Sequence, residues 1–255
     1  ILHFSIMKEV IMKKLLFWMV LIVAVALLGS CAKKDDSTAA AAAVPAEGSG
    51  STASGTVSGI DGLTGTFEMS YRAQEPSGGC VDNSTAVATF VALNVVPSDT
   101  LAWKQKIIIT SSTTYTKSLQ YYSDASCATL TGYMNSGYKT FLVGDSLSGL
   151  TAGSSPPRPT TAKKVSYNED FTALKSNTDT TTSFFNTLMG ASGLAALGFT
   201  QGTELKITND GDAEVNIWEI GTMSGSSKTY LYTGNSAAST YPSAWTTNDG
   251  VWWQE

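Results

Sequence analysis

Polar and apolar positions alternate strictly from Leu63 to Arg72. Leu63, Gly65, Phe67, Met69 and Tyr71 fall on one side; Thr64, Thr66, Glu68, Ser70 and Arg72 fall on the other. Successive strand side chains point to opposite faces, so this pattern predicts a strand with one buried face. The same period recurs at Trp103 to Thr110, with Trp103, Ile107 and Ile109 opposite Lys104 and Lys106. Tyr115, Leu119 and Tyr121 line one face of the next strand. Ala86 to Val96 is a near-continuous apolar run and is read as a further strand. Tyr138 to Val143, Lys164 to Asn168, Glu204 to Thr208, Val215 to Ile220, Thr229 to Tyr232 and Val251 to Trp253 complete a series of nine or ten. Many short strands with Gly- and Asn-rich turns predict an all-β sandwich or barrel.

Two hairpins are expected. Asn209-Asp210-Gly211-Asp212 separates Ile207-Thr208 from Val215-Asn216, and Asp-Gly tolerates the positive φ of a tight turn. Ser224 to Ser227 separates Ile220 from Tyr230 in the same manner. One helix breaks the series near 181–197. Thr180 to Thr182 offer N-caps, Phe184, Phe185, Leu188 and Met189 form an apolar stripe, and Gly190 and Gly193 offer stops. Ala191 to Leu197 continues that helix or forms a second turn. Ser154 to Pro159 (SSPPRP) reads as a stiff extended connector.

A different pattern opens the chain. Lys13 and Lys14 precede the uncharged run Leu15 to Leu28, then the small residues Gly29 and Ser30, then Cys31. A basic start, a short apolar helix and a small-residue cleavage site describe a secretory signal peptide. Fourteen residues span roughly 21 Å as helix, short of the roughly 30 Å hydrocarbon core. With cysteine directly after the small pair, the stretch resembles the lipobox of bacterial lipoproteins. The resemblance implies cleavage after Ser30, a diacylglycerol thioether on Cys31 and palmitate-type acylation of the new amino group. Each buried methylene contributes about 0.8 kcal/mol, so two or three chains anchor firmly. Ala32 stands where enterobacterial lipoproteins carry Asp for inner-membrane retention, which favours the outer membrane. Residues 1–11 are read as upstream of the true start at Met12, with Met7 as the other candidate.

Removing residues 1–30 takes away the only histidine, His3, with Glu9 and three lysines. The remaining chain carries 13 basic and 20 acidic residues, a net charge of −7. That balance argues against nucleic acid and against an electrostatic grip on anionic lipid. Residues 31–58 are rich in Ala, Ser, Gly and Thr and bury too little to offset their ordering entropy, so a lipidated flexible linker is expected. The folded unit is expected over 59–255, long enough for one filled core, and as a monomer.

Cys80 and Cys127 are an even pair in an exported domain, and a disulfide is expected. It closes a loop of 47 residues, worth roughly 3–4 kcal/mol by chain entropy. The histidine-free chain lacks Ser-His-Asp and Cys-His chemistry and any His-ligated metal site. No cofactor is expected. Asp210 to Glu214 is acidic but does not match a calcium loop and reads as a turn. Asp124, Asp145, Glu169, Asp170, Glu204 and Glu219 leave room for a carboxylate-pair hydrolase, the third-ranked reading.

Leu63-Thr64-Gly65-Thr66-Phe67 resembles the Gly-x-Trp opening of the first lipocalin strand, with Phe67 in place of Trp. Tyr121 to Cys127, followed by Gly137-Tyr138, is similar to lipocalin-like repeats in which a strand ends in Asp-x-x-Cys and the next opens with Gly-Tyr. Leu231 to Gly234, Tyr241-Pro242 and Trp252 resemble the closing strands of those domains. The resemblance implies an antiparallel meander barrel around a cup. Trp103, Tyr115, Tyr121, Tyr138 and Trp218 become candidate wall residues for a small apolar or amphipathic ligand; the competing expectation is that these rings fill the core. A filled core implies a surface or periplasmic interaction protein, meeting a protein or glycan through loops such as Gly144 to Lys163 and Thr233 to Asp249.

Overall fold

The computed structural model describes residues 52–69, 80–82, 84–151, 157–209, 211–223, 226–246 and 249–255. The signal, Cys31 and all but the end of the expected linker lie outside them, as do Tyr71 and Arg72. Among the described residues no helix is long and apolar enough to cross a membrane.

Nine strands form one antiparallel sheet: β1 (Thr66–Met69), β2 (Ala102–Ile109), β3 (Tyr115–Tyr122), β4 (Leu130–Ser148), β5 (Thr161–Ser176), β6 (Leu205–Thr208), β7 (Ala213–Thr222), β8 (Thr229–Thr233) and β9 (Gly250–Gln254). The sheet closes into a ring because β5 pairs with β4 on one edge and with β6 and β7 on the other. β6 lies along Phe171 to Leu174 and β7 along Lys163 to Asn168, so the two share one position. The ring therefore has eight positions, visited in chain order, and β9 seals it against β1. This is the expected all-β meander barrel.

Two expectations change. Ile207-Thr208 and Val215-Asn216 do not form a hairpin; each strand takes β5 as its partner, and the two follow one another along one barrel position. Ala86 to Val96 is not a strand. Ser84–Ala92 forms helix α1. The run lacks period-two alternation, and Val87, Phe90 and Val91 have helical spacing and pack into one cluster. Asn94, at φ 53°, ends the helix, with the Val95 N–H bonded to the Phe90 carbonyl at 3.0 Å and the Asn94 N–H to Val91 at 3.0 Å. The single expected helix thus becomes two.

The other helix forms where the stripe predicts it. α2 (Asp179–Ala191) begins at the N-cap Thr178, whose hydroxyl accepts from the Thr181 N–H at 3.2 Å. Asp99 fixes this end, accepting the hydroxyl hydrogens of Thr178 at 2.6 Å and Thr181 at 3.1 Å. Gly193, at φ 72°, closes the far end, and a 3-10 turn follows at Ala195–Leu197.

Cross-strand partners share a face, so the register sorts the ring into an inside and an outside. Phe67, Ile107, Tyr115, Tyr138, Val165, Trp218, Leu231 and Trp252 form one inner cluster. Val57, Ile60 and Leu63 add three buried side chains to it and stop that end of the barrel. Trp103, Tyr121 and Leu174 lie on the same inner face toward the opposite end, where Val87, Phe185 and Met189 of the two helices bury against them. A third cluster, including Ile217, Tyr232, Trp245 and Trp253, covers part of the outer wall.

The two long strands bend to make this possible. β4 and β5 change register between Gly137 and Tyr138, where Glu169 and Asp170 together oppose one residue. Such a bulge tightens the local twist. Beside it, a Cβ on Gly137 would lie 2.1 Å from the Phe171 ring, so only glycine lets that ring lie flat on the outer wall. Lys206 covers the ring from above, its Nζ 4.3 Å from the centroid.

Candidate functional site

The barrel interior is the site that the aromatic pattern predicts, and it has three levels. The first is a ring cluster. Tyr115 stacks on Tyr138 with centroids 4.5 Å apart and meets Phe141, Tyr167 and Trp218 edge-on at 5.5, 5.3 and 5.0 Å. Phe141 lies 4.9 Å from Trp218. These spacings are those of packed aromatic cores. Three predicted wall residues, Tyr115, Tyr138 and Trp218, therefore stand together, joined by Phe141 and Tyr167. The other two, Trp103 and Tyr121, stand apart in the helix-covered cluster, Trp103 against Phe90 at 4.9 Å and Tyr121 against Phe185 at 6.2 Å.

Between these apolar levels runs a polar belt. Gln105 separates Trp103 from Ile107 on the inner face of β2, Lys117 separates Tyr115 from Leu119, and Ser136 separates Met134 from Tyr138. Thr172 continues it as the partner of Ser136, and Glu169 as the partner of Tyr138. Glu214 completes it, opposite Tyr167. All six are half-buried.

The belt carries two carboxylates and one ammonium. Burial pushes the Glu169 carboxyl above its usual range; Glu214 raises it further, and Lys117 partly offsets both. Lys117 also places its Nζ 5.5 Å from the Tyr138 ring centroid. Burial drives the Tyr115 and Tyr138 phenols well above their ordinary value, so both stay neutral hydrogen-bonding groups at any physiological pH. Asn216 donates to the Tyr167 hydroxyl at 3.2 Å. The buried indole N–H of Trp218 has no hydrogen-bond partner among the described residues. Chemically the belt can orient a polar head among phenols and opposed charges; no cluster of three metal-ligating side chains occurs among the described residues.

Glu169 gives a direct expectation. A carboxyl raised in the folded state stabilises the fold below its unfolded pKa and loses that contribution as pH rises through the folded value. Glu169→Gln should therefore raise the melting temperature modestly at pH 7 and leave it unchanged near pH 4. Equal shifts at both values would show that the Glu169 charge has no unfavourable setting.

The other candidate carboxylates lie elsewhere. Asp170 pairs with Lys139 at 3.2 Å, Glu204 accepts the Tyr133 hydroxyl hydrogen, and Asp145 is exposed. Asp124 organises the turn that carries Cys127, accepting the Ser126 hydroxyl hydrogen at 2.5 Å and the N–H groups of Ala128 at 3.1 Å and Thr129 at 2.6 Å, which holds its carboxyl well below the usual range. Cys80 and Cys127 form a disulfide, S–S 2.12 Å, between that turn and the stretch entering the Val81–Trp103 bridge.

Lys117 and Glu214 were legible as inner residues. Lys117 shares its period-two face with Tyr115, Leu119 and Tyr121, and Glu214 shares one with Trp218. Reading 210–214 as an acidic turn hid the second.

No protein-family model matches this chain, and no curated protein matches it.

Proposed function

We propose that the chain is a lipid-anchored cell-envelope protein that works by non-covalent binding, through the outside of a filled barrel. The anchor rests on Lys13 to Cys31. The binding mode rests on one observation: Tyr115 has ring partners on four sides inside the barrel, at centroid distances of 4.5–5.5 Å. Rings packed at these distances leave no ligand-sized void among themselves. The absence of histidine from Ala32 onward supports a role without bond-making.

A second reading draws on the polar belt. Six half-buried polar groups facing inward suit the head of a small amphipathic ligand, beside the buried Trp218 Nε1, which has no hydrogen-bond partner among the described residues.

One experiment separates the two. The full chain in neutral detergent is titrated with a hydrophobic naphthylamine dye, with a Lys117→Met variant alongside. A filled barrel gives no saturable fluorescence beyond the micelle background. A one-to-one rise that Lys117→Met alters transfers the function to the interior. Labelled palmitate on the wild-type chain and not on Cys31→Ser tests the anchor; equal labelling ends that part of the proposal.

A further inference from the structure

The geometry points to a second site, on the outer wall, that binds the carboxylate of a small ligand with an apolar body. A cleft of about 360 Å³ opens between the Pro157–Thr161 segment and strands β7 and β8. That volume lies within the range of small-molecule pockets. Its walls combine Pro157, Pro159 and Met223 with the polar groups of Arg158, Glu219 and Tyr232.

Arg158 carries the inference. It is only 8 % exposed. One of its terminal nitrogens donates to the Asp249 carbonyl at 2.9 Å. The other, Nη1, has no hydrogen-bond partner among the described residues. Asp249 lends charge from nearby, but its carboxylate is turned to Thr246, taking that residue's N–H at 2.6 Å and hydroxyl at 2.8 Å. The guanidinium is also held in place: its carbon lies 5.9 Å from the Trp245 ring, and the Trp245 indole donates to the Pro159 carbonyl at 2.7 Å. A buried guanidinium with a terminal nitrogen unpartnered among the described residues is a directional receptor for a planar oxyanion. Nη1 is itself enclosed, so engagement requires a side-chain adjustment at the cleft wall.

Two features narrow the ligand class. Glu219 also lines the cleft, so a multiply charged anion such as phosphate meets repulsion there. The apolar wall favours a carboxylate with a hydrophobic body over a bare ion. Gly221 supplies the room. A Cβ there would sit 3.4 Å from the Tyr232 ring and 3.8 Å from Pro159, so the position accepts a side chain and a larger one fills the cleft.

This site is independent of the barrel interior and of the anchor. The test uses the full chain in neutral detergent with 4-fluorobenzoate as probe, followed by fluorine NMR. A saturable, one-to-one shift is expected in the millimolar range or tighter. Arg158→Gln should weaken it at least about tenfold, the scale of a charge-assisted hydrogen bond. Gly221→Leu should abolish it while leaving Arg158 intact, and this variant decides the matter if Arg158→Gln fails to fold. 4-Fluorobenzamide should not compete. No saturable shift, an unchanged shift in Gly221→Leu, or competition by inorganic phosphate equal to that by benzoate would overturn the assignment.

Discussion

Replacing Trp218 with Ala is expected to destabilise the fold by about 4 kcal/mol, the usual scale for emptying a fully buried indole site. Trp218 has no exposed surface and lies within 5.0 Å of both Tyr115 and Phe141 by ring centroids. Its neighbours are held by strands on every side, so they cannot collapse into the space. The loss is almost wholly one of packing, because the indole N–H has no hydrogen-bond partner to leave behind among the described residues. The hole should also be refillable. Free indole should raise the melting temperature of Trp218→Ala with concentration, by mass action, and leave the wild type unchanged. Urea denaturation with and without indole measures both effects. A cost below about 1 kcal/mol would describe a ring lining an open cup, and the filled-barrel proposal would fall with it.

The second large effect is that of the disulfide. Cys80→Ala with Cys127→Ala should cost about 3–4 kcal/mol, the chain entropy returned to a 47-residue loop. For a domain of this size that lowers the melting temperature by roughly 10 °C. Reductant should reproduce the loss in the wild type and have no effect on the double variant. The consequence should be concentrated locally, since the bridge ties the 123–129 turn to the stretch before α1. If reductant left thermal unfolding unchanged, the bridge would be ornamental to stability.

The barrel was legible because its strands obey simple periodicity. Trp103, Ile107 and Ile109 do face inward and Lys104 and Lys106 outward, as alternation dictates. Strand lengths were less legible. Only Tyr138 to Val143 was read from the 19 residues of β4, because Thr131 to Gly137 sets Tyr133 and Met134 side by side among small and polar residues, with no period-two alternation. Thr131 and Asn135 are fully buried, although nothing in their chemistry announces it. The misread helix Ser84–Ala92 shows the limit of the apolar-run signal. Length and hydrophobicity fit a strand, and only the spacing of Val87, Phe90 and Val91 decides for helix. The interior site was half legible. Rings are conspicuous in a sequence, whereas a polar belt emerges only when inner positions from five strands are aligned across the register. The outer cleft was not legible at all. Arg158 sat in what read as a connector, and its burial depends on Trp245 and Asp249, far along the chain.

Around the ring every seam but one joins strands that are consecutive or, for β5 and β7, next but one in the chain. β1 meets β9, and Gln254 Nε2 donates to the Thr64 carbonyl 190 positions away. A nascent polypeptide can zip up hairpin by hairpin, but this clasp must wait for both partners. The slow phase of refolding should therefore belong to the β1–β9 latch, since distant loop closure is charged in entropy before any contact repays it. Weakening that latch with Trp252→Ala should retard closure without abolishing the preceding meander, leaving a gaping, C-shaped sheet as the trapped species.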